Sequence, residues 1–162
     1  YLIAKGHRKI GVIGGKENNI HTQQRLLGYQ QALFENQILY NPAWVRYADW
    51  EKEGAYLAAG ELLKEEVTAI FCMADRMAGG VYCCLDEMGL RAGRDIAVAG
   101  FDNQTIAEYF VPGLTTMALP LIEIGNTSAD FLLKQIDGVE EEKPDRVLIP
   151  CTFKERESVH QI

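Results

Sequence analysis

At 162 residues with 48% hydrophobic and 24% charged side chains, the chain can bury one sizeable core and is too apolar to be disordered. Its 16 basic and 23 acidic residues leave a net charge of −7, which argues against these residues gripping a phosphate backbone themselves. No run reaches the roughly 18 apolar residues of a membrane span, and the opening YLIAKGHRKIGVIGG lacks the apolar core and cleavage site of a secretory signal, so a soluble, cytoplasmic protein is expected.

In chain order, Gly6 is a stop signal with no helix cap before it, so the first residues read as the end of a helix begun upstream and the chain as part of a longer one. RKIGVIGG places Ile10, Val12 and Ile13 in a strand closed by Gly14 and Gly15. The spacing of Leu26, Tyr29 and Leu33 predicts a helix from Thr22 to Glu35 with Thr22 as its cap. WVRYA forms a second strand, ended by DWEKEG. Ala55, Ala58, Leu62 and Leu63 then predict a helix from Lys52 to Lys64.

TAIFCM, residues 68–73, reads as a buried strand. Asp75 stands where the cap of a helix from Arg76 to Met88 would sit, and Gly89 ends that helix. DIAVAGF and LTTMAL supply two further strands. Pro120 opens an amphipathic helix from Leu121 to Ile136 that Gly138 stops. The acidic VEEEKPD, in which Glu140 and Glu142 read as solvated, leads to a last strand in RVLIPCTF and a polar tail. Strand-length runs alternating with helical segments predict an α/β fold on an open parallel sheet flanked by helices.

In such a sheet a ligand lies beyond the carboxyl ends of the strands, which singles out Arg25, Trp50, Asp75 and Asp102. Arg25 offers a planar fork of donors, Asp102 accepts hydrogen bonds and Trp50 presents a flat apolar face, a set that suits a sugar and would also stack a planar base. Each has a structural alternative. Asp75 reads as a helix cap before it reads as a contact, and Asp102 equally as a turn-former; Trp50 could cover the sheet edge and Arg25 could make a solvated ion pair.

Enzyme signatures are missing. GVIGGKEN has neither GxGxxG nor a GKS or GKT ending, and no serine or cysteine sits in a nucleophile elbow. His7, His21 and His160 are scattered, with His7 expected as a helix-end group. Cys72, Cys83, Cys84 and Cys151 have neither CxxC spacing nor a histidine pair nearby, so no metal, disulfide or cofactor is expected.

The succession of QQRLLGYQQAL, TAIFCMADRMAGG, DIAVAGFDN, VPGLTT and a closing FKERESV resembles the lactose-repressor family of bacterial transcription regulators along essentially the whole chain. The resemblance implies a two-lobed, periplasmic-binding-protein-like core that binds a small effector, with operator DNA met only through a helix-turn-helix headpiece absent from these residues. Residues 8–118 would form the C-terminal lobe, 119–149 would belong to the N-terminal lobe, and 150–162 would return.

By the same motifs Arg25, Trp50, Asp75 and Asp102 would line the effector pocket, with Asp102 accepting ligand hydrogen bonds. Gly79, Tyr82, Cys83, Tyr109 and Phe110 would fall at a homodimer interface, Tyr82 reading equally as core and EYFVPG as two exposed aromatics. Ala74 departs from the asparagine of several sugar-responsive relatives and matches the small residue of purine-responsive ones, whereas Trp50 favours a sugar. A transporter's solute-binding protein is the alternative within the same fold, and a small α/β enzyme the alternative outside it.

Overall fold

The computed structural model describes residues 1–138 and 146–162. Its centre is β1 (Ile10–Gly14), every residue of which is buried. That is the pattern of a parallel strand covered on both faces, where alternation gives way to a continuous apolar run. β2 (Val45–Tyr47) and β3 (Ala69–Cys72) flank it, with Val12 opposite Val45 on one side and Phe71 on the other. β4 (Ala97–Asp102), β5 (Thr115–Ala118) and β6 (Thr152–Lys154) complete the order β2-β1-β3-β4-β5-β6, parallel except for antiparallel β6.

The sheet is covered by α1 (Ile20–Glu35), α2 (Lys52–Lys64) and α3 (Asp75–Glu87), joined by a 3-10 turn at Pro42–Trp44 and the short α4 (Ile106–Tyr109). α2 and α3 approach backbone to backbone at Gly80, where any Cβ would overlap the Lys52 carbonyl and the Tyr56 amide. Fully buried Leu62, Ile70, Met77, Val81 and Val98 knit these layers into one core. Among the described residues no helix is long and apolar enough to cross a membrane.

Four expectations need correction. α1 starts before Thr22, because the Asn19 side chain accepts from the His21 amide at 2.9 Å and caps the helix first; Thr22 is buried instead. Asp75 lies inside α3 rather than at its cap, which is Ala74, and its carboxylate is drawn inward by two donors, the Gln104 amide just past β4 and the Thr116 hydroxyl of β5. RVLIPCTF pairs only from Thr152 onward, where Thr152 meets Ala118; Pro150 has no amide to offer a ladder. His7 is no helix-end cation. Its ring is buried between the Thr68 hydroxyl and the His160 carbonyl, both at 3.0 Å, and burial holds its pKa below the ordinary value. The acidic segment 139–145, with Glu140 and Glu142, lies outside the described residues.

α5 (Leu121–Ile136) is amphipathic but has no buried residue, and Leu121, Ile122, Leu132, Leu133 and Ile136 all face solvent. A helix whose apolar stripe contributes nothing to the core it leaves is built to be covered by something else.

Candidate functional site

β2 and β3 leave β1 in opposite directions, which makes the carboxyl end of β1 the switch point where open parallel sheets form a crevice. Arg25, from the second turn of α1, reaches across it. One guanidinium nitrogen donates to the carbonyl of Met73, just past β3. Another lies 3.6 Å from Asp102 Oδ1 at the end of β4, and the guanidinium carbon sits 4.0 Å from the centre of the Phe101 ring and 5.8 Å from that of Trp50. One side chain thus touches groups set by β2, β3 and β4.

At 3.6 Å the Arg25–Asp102 pair is an ion pair without a good hydrogen bond, so the carboxylate keeps lone pairs for another donor. The two side chains remain 21% and 19% exposed, enough to be reached from outside. Burial pushes the Asp102 carboxyl above the usual range against the pull of Arg25, and lowers the guanidinium against the pull of Asp102. Desolvation and attraction oppose each other on both partners, so the pair contributes little net stability.

The backbone that presents these groups is unusual. Trp50, Asp102 and Asn103 have φ of 70°, 105° and 53°, left-handed values that non-glycine residues rarely adopt and that cost energy. At the Asp102–Asn103 corner the conformation is braced on two sides, one of them by an arginine that is itself anchored. The Gln104 amide donates to Asp75 Oδ2 at 2.7 Å, Arg156 donates to Asn103 Oδ1 at 2.9 Å, and Arg156 also donates to the Leu114 carbonyl at 2.7 Å. Trp50 lies flat against Gly15, where any Cβ would overlap the indole.

Asp75 comes close to this group but does not face it. It is 0% exposed, and its second oxygen accepts from the Thr116 hydroxyl at 2.6 Å, so both oxygens are engaged by the protein. Burial pushes its carboxyl up to about 6, partly countered by those two donors. Phe101, Asn103 and Arg156 escaped the sequence reading. Phe101 is the aromatic within GFD and Arg156 lies in the closing FKERESV, but nothing local marks Arg156 as a partner of Asn103, 53 positions away.

Gly79, Tyr82 and Cys83 meet Phe110 in an open groove of about 560 Å³ on the α3 face, which Glu51 and Arg76 also line. Tyr82 stacks on Phe110 at 4.7 Å and donates to the Pro112 carbonyl at 2.8 Å. Of the two aromatics expected to be exposed, only Tyr109 is, at 77%; Phe110 is half-buried because Tyr82 covers it.

An open parallel sheet whose carboxyl edge gathers a paired cation, a carboxylate with free lone pairs and two aromatic rings has the form of the crevices in which such folds take small molecules. Residues 1–159 match the family described as the periplasmic binding protein-like domain, and the chain belongs to that family, in its lactose-repressor branch. It is 39% identical, over 98% of its own length and 47% of the other's, to the HTH-type transcriptional repressor PurR of Shigella sonnei. A lactose-repressor-family regulator from Enterococcus faecium with bound ribose superposes with a TM-score of 0.89 at 33% identity, covering 99% of this chain and 60% of that one. The lac repressor dimer bound to operator and the anti-inducer ONPF superposes at 0.85 with 31% identity, covering 98% and 55%. These relatives are transcription regulators, not enzymes, and the chain spans about half the length of the curated relatives it matches.

Proposed function

We propose that this chain is the effector-sensing part of a ligand-responsive bacterial repressor, and that Arg25, Trp50 and Asp102, with Phe101, receive the effector at the switch-point crevice. The observation that carries the reading is the Arg25–Asp102 pair at 3.6 Å, a donor fork and an acceptor side by side beneath aromatic faces. The favoured effector is a sugar: its hydroxyls pair with the charged groups while its CH face lies on the Trp50 indole. The ribose-bound relative supports it. A purine-like ring stacked on Trp50 is the second reading, favoured by the identity to PurR and by the small Ala74 beside the crevice.

Residues 8–118 and 150–162 form one lobe in this reading, and residues 119–149 belong to a second lobe whose surface covers the apolar stripe of α5. The protein works in the cytoplasm as a homodimer. Gly79, Tyr82, Cys83, Tyr109 and Phe110 contribute to that contact, and operator DNA is met through a headpiece outside these residues. The effector acts by differential affinity: a ligand that prefers one lobe arrangement by ~2 kcal/mol shifts operator affinity by a comparable coupling.

A thermal-shift titration of the full-length protein with ribose, cellobiose, adenine and guanine, repeated with Asp102→Ala, tests the reading. One of these ligands at 100 times its dissociation constant should stabilise the wild type by ~2.7 kcal/mol and leave the variant unmoved. An equal shift in both proteins removes Asp102 from the site, and operator affinity that ignores a bound effector ends the repressor reading.

A further inference from the structure

We infer that Phe101 is the positioning residue of the crevice, the surface against which the Arg25 fork is held in the orientation that meets a ligand. In a regular strand, neighbouring side chains point to opposite faces of the sheet, so Phe101 and Asp102 should not be able to reach one group. They do: Arg25 lies 4.0 Å over the Phe101 ring and 3.6 Å from Asp102 Oδ1. The φ of 105° at Asp102 breaks the alternation and brings consecutive residues onto the same guanidinium. The left-handed corner, expensive for an aspartate, thereby gains a purpose.

The other restraints on Arg25 leave this role open. The Met73 carbonyl holds one nitrogen, and the ion pair with Asp102 is too long to fix an angle; neither stops the guanidinium plane from rotating. A ring face does, because the cation is drawn to the negative quadrupole and the two planes stack. Trp50, at 5.8 Å, stands too far off to impose the same order and stays free to receive a ligand. The inference rests on the proposed effector site, and it gives Phe101 a share in specificity, since an Arg25 fork in a fixed plane discriminates between epimeric hydroxyls where a rotating one does not.

The test compares Phe101→Leu, which keeps bulk and removes the ring face, with Phe101→Tyr, which keeps the face. Two readouts are taken on the full-length protein. The first is affinity for whichever of ribose, cellobiose, adenine and guanine the wild type binds; the second is the Arg25 Nε–Hε resonance, shifted by the ring current of an aromatic face directly beneath it. The leucine variant is expected to bind about tenfold more weakly and to lose the shifted resonance, and the tyrosine variant to restore both. Wild-type affinity in the leucine variant, equal losses in the two variants, or an Arg25 resonance that does not notice the ring overturns the inference. If no probe binds the wild type, the proposed effector reading fails, while the Arg25 resonance still decides whether Phe101 orients the fork.

Discussion

Asp75 offers a quantitative test of how the lobe is held together. The side chain is 0% exposed and its carboxyl is pushed from 3.8 up to about 6, chiefly by burial. The folded state therefore holds its proton more tightly than the unfolded chain does. Between these two values the folded protein binds more protons, so stability falls as pH rises, and above about 6 the full cost is present. At 1.36 kcal/mol per unit, that cost is about 3 kcal/mol.

His7 works with the opposite sign. Buried and held below its ordinary value, it destabilises the folded state under acid conditions and ceases to do so as pH rises past the unfolded value. A wild-type profile alone would mix the two. The variant Asp75→Asn separates them, since His7 is common to both proteins and cancels in the difference. Urea unfolding of both from about pH 4 to pH 7.5 should show wild-type stability falling relative to the variant by about 2.4 kcal/mol across the range, the rest of the loss lying below pH 4. A difference that stays flat, or that rises with pH, would mean that Thr116 and Gln104 stabilise an ionised carboxylate against burial, and the reasoning would be wrong.

Other substitutions probe single contacts. Gly80→Ala forces α2 and α3 apart at their closest backbone approach and should cost about 2 kcal/mol in the same assay. Gly15→Ala displaces the Trp50 indole, so tryptophan emission should shift and effector affinity fall about tenfold with only a small change in unfolding midpoint. Tyr82→Phe removes the hydrogen bond to the Pro112 carbonyl while keeping the stack on Phe110, a loss of about 1 kcal/mol.

Legibility in the sequence followed the range of the interaction. α2 and α5 begin and end where their apolar spacing and stop residues place them, and β1 through β5 coincide with apolar runs, because periodicity is a local property. The strand-end rule also singled out Arg25, Trp50 and Asp102, and the structure brings them to one edge. What escaped depends on contacts distant in sequence or on backbone angles. Asp75 looked like a cap because nothing local reveals Thr116, 41 positions away, as its partner. The GFD motif marked Phe101, but its reach toward Arg25 depends on the φ of Asp102, and Thr22 lost its capping role to Asn19, a better cap one turn earlier.

The placement of Trp50 and Asp102 at or just past the ends of β2 and β4, with Arg25 reaching over from the second turn of α1, has an evolutionary consequence. Arg25 and Asp102 lie outside the fully buried core of Leu62, Ile70, Met77 and Val98, so exchanging them empties no core cavity and costs little of the free energy that folds the lobe, whereas Trp50 packs against that core. Ligand preference can therefore drift while the scaffold stays intact, one strand end at a time. The Trp50–Gly15 contact is the exception: there a change on one side is tolerated only if the other yields, so the indole should be among the slowest features of the crevice to change.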